Sequence, residues 1–131
     1  SVQELRAHVQ AADAVVICSP EYAHRVPGSL KNALDWLVSV PEVVFKPVAL
    51  VNASPRAFHA QASLAETLRT MSMALVSEQP FVVPMSGRGT TATEIASDPA
   101  LAAPLSDCLG ALVVAVARYR QTVASLPIRM P

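Results

Sequence analysis

Charge is what this chain has least of. Asp, Glu, Lys and Arg make up only 15% of its 131 residues, and ten acidic side chains balance ten basic ones. No Lys/Arg cluster interleaves with aromatic residues, which excludes a groove that tracks a phosphate backbone, so nucleic acid is not an expected partner. Net neutrality also withholds the acidic surface of an electron carrier. Cysteine is almost absent. Cys18 and Cys108 lie far apart without C-x-x-C spacing, giving no disulfide framework, and both are expected as reduced thiols in the core. No apolar run is read as approaching the roughly 20 residues that span a bilayer. The first residues hold no basic region followed by a hydrophobic one. The expected location is therefore cytoplasmic, with no membrane partner. Internal repeats and low-complexity tracts are missing too.

What is abundant is apolar surface. Hydrophobic residues reach 52%, more than a lone domain of this size coats with polar groups, so a homo-oligomer is expected.

The most telling stretch begins with the apolar run Ala14-Val15-Val16-Ile17-Cys18 and continues through Ser19-Pro20-Glu21-Tyr22-Ala23-His24-Arg25-Val26-Pro27-Gly28. The β-branched run suits a buried strand, and Pro20 with Pro27-Gly28 makes a loop. Leu30, Ala33, Leu34 and Leu37 then recur at helical spacing. In open α/β sheets ligands bind outside the carboxyl ends of strands, which is where this loop falls.

These residues resemble the loop and helix of the NADPH-dependent FMN reductases of the flavodoxin-like fold, S-P-E-Y-N-x-x-[IV]-P-G-x-L-K-N-A-L-D-W. The match holds from Ser19 to Tyr22 and from Val26 to Trp36. It departs at Ala23, where Asn is common, and at Arg25, where a small residue is usual. Lys46-Pro47-Val48-Ala49-Leu50-Val51-Asn52-Ala53-Ser54-Pro55 is similar to the family's next strand and flavin-side loop. The likeness covers roughly residues 12 to 84.

The organisation read from the sequence is a helix over 2–11, a strand over 14–18, a helix over 28–40 and a strand over 47–53. A helix over 60–76 follows, carrying Leu64, Leu68, Met71 and Leu75, then a short strand over 81–83. Residues 85–98 read as an irregular connection, and a last helix over 102–124 is expected to turn Leu105, Leu109, Leu112, Val116 and Val123 inward. Alternating strands and helices imply βαβ units and a parallel sheet. By resemblance the fold is a three-layer α/β flavodoxin-like sheet, of which only strands three to five with their helices are counted. Residues 1–131 are thus expected to form one domain, N-terminally truncated relative to the family. With the phosphate-binding loop not accounted for, the chain alone is expected to hold FMN poorly.

The resemblance implies that FMN and NADPH are the cofactors and that hydride passes through the flavin to a small-molecule acceptor, a flavin or quinone-like compound. The alternative is a non-catalytic fragment or a flavin-binding electron-transfer module without an intact cofactor site. Backbone groups of Pro20, Glu21, Tyr22 and Ala23 are implied at the pyrimidine edge of the ring, with His24 beside them and Ser54 and Arg56 on the second flavin-facing loop. Tyr22 offers its ring to the flavin or to a nicotinamide. Glu21 has no second carboxylate nearby, which favours an orienting role over acid catalysis. His24 and His59 sit on neighbouring loops, and no third ligand at metal spacing accompanies them. Arg25, Arg56 and Arg88 are candidates for dinucleotide phosphates. Lys31 and Asp35 form an i, i+4 pair, and Trp36 marks either a subunit contact or core packing against a neighbouring helix.

Overall fold

The computed structural model describes residues 1–54, 56–85 and 89–127. The chain opens with α1 (Val2–Ala11), started by a reciprocal capping box between Ser1 and Glu4. Strand β1 (Val15–Cys18), α2 (Gly28–Leu37), a 3-10 turn (Pro41–Val43) and β2 (Pro47–Asn52) follow. After these come α3 (Phe58–Thr70), β3 (Ala74–Leu75), β4 (Phe81–Val82), α4 (Ala92–Ser97) and α5 (Pro99–Ala124).

The sheet is parallel, with β2 at its centre: β1 lies on one side, and β3 and β4 follow one another along the other. Every residue of β2 is buried, as a central strand covered on both faces must be. Val48 and Leu50 face a core shared with Val9 of α1, Leu34 and Leu37 of α2, and Leu64 and Leu68 of α3. Ala49 and Val51 face the opposite core, with Cys108 and Leu112 of α5. Helix, sheet and helix thus form three layers.

Lys46 stands at the entrance to β2, and its residue surface is only 2% exposed. Its ammonium donates to the carbonyls of Val9, Gln10 and Ala12. These carbonyls end α1, where the helix dipole favours a cation and no intrahelical donor remains. Burial works against the charge, while Glu42 and Asp13 support it. One lysine thereby fastens the first helix to the central strand.

Several elements differ from the sequence reading. The helix expected to reach residue 76 stops at Thr70, and Ser72 takes φ +62°. Ser72 N–H donates to Arg69 and Met73 N–H to Leu68, the paired bonds of a Schellman ending. Leu75 had prolonged the helical period, but it belongs to β3, so the sheet holds four described strands and not three. The 28–40 helix ends at Leu37 and passes into the 3-10 turn. Within the expected irregular stretch 85–98, Thr91 and Glu94 form a capping box that starts α4. The last helix begins at Pro99 and not at 102, because Asp98 caps the Ala100 N–H and proline suits the first helical position.

The inward face of α5 is Leu101, Leu105, Cys108 and Leu112. Leu109 and Val123, expected to face inward, are exposed. Cys108 is the buried thiol anticipated, and burial raises its pKa. Cys18 is exposed, contrary to expectation. Among the described residues β1 pairs with β2 alone, and Val16 and Cys18, in register with Ala49 and Val51, stand exposed. Helix α5 is also long and apolar enough to cross a membrane by length and composition alone. The expectation that no apolar run approaches that length is thereby corrected: isolated polar residues such as Ser106 and Asp107 interrupt the run, yet the helix stays apolar on average. In the fold this helix lies against β2 and β4.

Candidate functional site

Because β1 and β2 are parallel and in register from Val15 opposite Val48 to Cys18 opposite Val51, the loops that follow them leave the same end of the sheet. The first loop closes on itself. Tyr22 N–H donates to the Arg25 carbonyl at 3.1 Å, and Arg25 N–H returns a bond to Tyr22 at 2.9 Å. The two residues between them, Ala23 and His24, have φ of +49° and +60°. Two central left-handed residues are the mark of a type I′ hairpin turn, normally built from Asn-Gly or similar pairs. Here alanine and histidine hold it at a steric cost.

Glu21 ties this turn to the second loop. Its side chain is 11% exposed. One oxygen, Oε2, accepts the Ala60 N–H at 2.8 Å; the other, Oε1, lies 3.1 Å from His24 Nδ1. Ala57 caps α3 and offers no side-chain acceptor, so the carboxylate from the first loop supplies one for the orphan amides of the helix start. The Ala60 N–H is the main reason the Glu21 pKa falls below its ordinary value, with the His24 hydrogen bond and the fields of His24 and His59 adding to it. A carboxylate only accepts, so Nδ1 of His24 carries the proton of that bond. The His24 and His59 rings meet edge to face with centroids 4.5 Å apart. Among the described residues no group of three or more His, Cys, Asp and Glu could hold a metal ion.

The second loop is shaped by Asn52, itself buried, whose Oδ1 accepts the Ser54 N–H at 2.9 Å. Ser54 in turn accepts from Ala57 and Arg56 N–H groups. Among the described residues the backbone N–H and C=O groups of Glu21, Ala23 and His24 have no intramolecular hydrogen-bond partner, and the Tyr22 ring is two-thirds exposed. Unpartnered donors and acceptors beside an exposed aromatic side chain can engage a ligand that has both polar and apolar edges.

The family model described as NADPH-dependent FMN reductase matches residues 1–87. The chain belongs to the NADPH-dependent FMN reductase family. It is similar to an NAD(P)H-dependent FMN reductase of Pseudomonas aeruginosa, 41% identical over 73 residues, covering 52% of this chain and 40% of that protein. It is also similar to a quinone reductase of Escherichia coli K12, 45% identical over 56 residues, covering 41% and 30%. Among solved structures it resembles the flavoenzyme NAD(P)H:(acceptor) oxidoreductase of Paracoccus denitrificans, with TM-score 0.60, 27% identity, and coverage of 88% and 65%. The chain spans about a third to two thirds of the length of these relatives.

Of the residues singled out by their likeness to the FMN reductase family, Tyr22, Ala23 and His24 lie in the turn and Pro20 and Glu21 lead into it, while Ser54 and Arg56 lie on the adjoining loop. Among the described residues neither Ser54 nor Arg56 is hydrogen-bonded to that turn. The Pro20 carbonyl accepts the Ser19 hydroxyl at 3.1 Å. Arg25 and Arg56 are exposed; Pro55 and Arg88 lie outside the described residues. The tie from Glu21 to Ala60 was not anticipated. A signal for it exists in the sequence, since Ala57-Phe58-His59 begins a helix with no capping side chain of its own.

Proposed function

We propose that this chain forms the flavin-ring side of an NAD(P)H-dependent FMN reductase or quinone-type oxidoreductase, working in the cytoplasm as a homo-oligomer. FMN held there would supply hydride-transfer chemistry between a nicotinamide and a flavin or quinone-like acceptor. The residues of this chain bind and orient. Unpaired backbone groups of Glu21, Ala23 and His24 would meet the polar edge of the ring, and Tyr22 would shield it from water. Glu21 keeps the turn in place by its bonds to Ala60 and His24. Ser54 and Arg56 would approach from the second loop. The observation that carries this reading is the left-handed turn with its free polar groups, fixed to α3 by the partly buried Glu21 carboxylate.

The oligomer is supported by the apolar composition and by Trp36 and Val38, both substantially exposed at the end of α2. Sedimentation velocity at micromolar concentration should show at least a dimer, and a lone monomer would refute it. The reading also includes a further strand laid along the free edge of β1, supported by β1 pairing with β2 alone among the described residues. An open strand edge is a template for pairing.

The site is tested by flavin fluorescence quenching with lumiflavin, which carries the ring system without the phosphate, and with FMN. Quenching should survive Ala23→Gly and disappear in Ala23→Pro, because proline cannot adopt positive φ. Equal quenching by both variants would place the ring elsewhere. NADPH-driven bleaching of the bound flavin, followed by reoxidation with a quinone, tests the activity itself.

A further inference from the structure

A cleft of about 610 Å³ opens at the end of the sheet opposite the flavin-side loops. Pro47 and Ala74 begin their strands and line it, whereas the loops of the proposed flavin site leave the strands at their other ends. The size is that of a small-molecule site. The sheet side is apolar, formed by Pro47, Leu75 and Val76, and α5 contributes Val114 with small residues at 110, 111 and 115.

Two features set this cleft apart from a packing defect. Arg118 lines it and makes no ion pair among the described residues, although Arg120 two positions on is paired with Asp13 at 3.0 Å. No carboxylate is among the lining residues, whose other polar side chains are Tyr119 and Thr122, so among the described residues no acidic side chain opposes Arg118 at this largely apolar hollow. The second feature is Phe45. It holds φ +61°, an outlier for a bulky side chain, and its N–H donates to the Ser72 carbonyl at 2.7 Å. Its ring is nonetheless 60% exposed at the mouth of the cleft. Core burial therefore does not repay the backbone strain, and strain held in this way is characteristic of ligand clamps.

We propose that this cleft binds an aromatic organic anion, an arene carboxylate or sulfonate, with Arg118 on the acid group and Phe45 against the ring. Guanidinium suits planar oxyanions, and an aromatic side chain packs on an aromatic ligand. The site is separate from the proposed flavin site, and its test does not depend on flavin.

The probe is 8-anilinonaphthalene-1-sulfonate, with uncharged N-phenyl-1-naphthylamine as its partner. Fluorescence titration of the chain should show saturable binding of the sulfonate at one site. Arg118→Gln should weaken it about tenfold or more, the scale of one charge-assisted hydrogen bond, and leave the neutral amine unaffected. Phe45→Gly should weaken both probes. Far-UV circular dichroism and thermal midpoint establish that Arg118→Gln is folded, as expected for an exposed side chain. Equal binding of the sulfonate by wild type and Arg118→Gln would overturn the proposal. So would binding lost in Val113→Ser, which alters the exposed face of α5 outside the cleft, or titration without saturation.

Discussion

Replacing Lys46 with methionine keeps the aliphatic stem and removes the ammonium that serves the carbonyls of Val9, Gln10 and Ala12. A buried acceptor left without a donor costs about 1–3 kcal/mol; only the Val9 bond is fully buried while those to Gln10 and Ala12 are partly open to water, so three such costs set an upper limit well above what is expected. Against this, wild type carries the desolvation of a buried ammonium, several kcal/mol that the variant is spared. The difference is a net loss of about 2–4 kcal/mol, a large part of the roughly 5–15 kcal/mol that holds a domain together. In urea, where the slope is about 1–3 kcal/mol per molar, the midpoint should fall by about 1–2 M with the slope unchanged. Amide exchange should accelerate first in α1, whose end loses its anchor. A midpoint shift below about 0.3 M, or a loss of protection starting in α5, would refute the clamp.

Ala23→Gly should raise stability by about 0.5–1 kcal/mol, since the left-handed penalty of about 1–2 kcal/mol is relieved and part is returned as unfolded-chain entropy. Ser72→Gly, at the Schellman ending of α3, should do likewise, and a lowered thermal midpoint in either variant would contradict the turn geometry. Glu21→Gln should remove a pH-dependent contribution. Its folded pKa is depressed, so the stability it adds is fully present above the ordinary glutamate pKa and is lost as pH falls through the lower folded value. The gap between wild type and Glu21→Gln in chemical denaturation should hold steady from neutral pH down to about 5 and close below it. A constant gap at all pH values would count against the Ala60 and His24 bonds.

Much of this fold was legible because its signals are local. Val15 to Cys18 and Val48 to Val51 read as strands from their unbroken apolar character, although only the second is buried throughout and the first alternates between half-buried and exposed; the Pro27-Gly28 start of α2 was written in the chain. The Thr91–Glu94 capping box was equally local but was overlooked among Gly, Ser and Thr residues that resemble a loop. Other features depend on partners distant in sequence. Leu75 continues the period of α3 and only the Ser72 reversal moves it into the sheet. Cys18 has the composition of a core residue, and its exposure follows from what lies beside β1. At the candidate site, the two loops could be placed at one end of the sheet from strand order alone. That Glu21 reaches from one to the other required coordinates, because no spacing rule links positions 21 and 60.

The bond from Glu21 to Ala60 also constrains how the molecule moves. A binding loop is ordinarily the part of a protein that opens most cheaply, independent of the elements around it. Here the hairpin turn cannot swing away without leaving the Ala60 amide of α3 without its acceptor, and α3 cannot fray at its start without releasing Glu21. The two open as one cooperative unit. During synthesis the acceptor is made 39 residues before its donor, so the turn acquires this restraint only once the chain has extended through the start of α3. The geometry of the site is thereby completed late, and once completed it opens at the free energy of that unit, not at the lower one of a free loop.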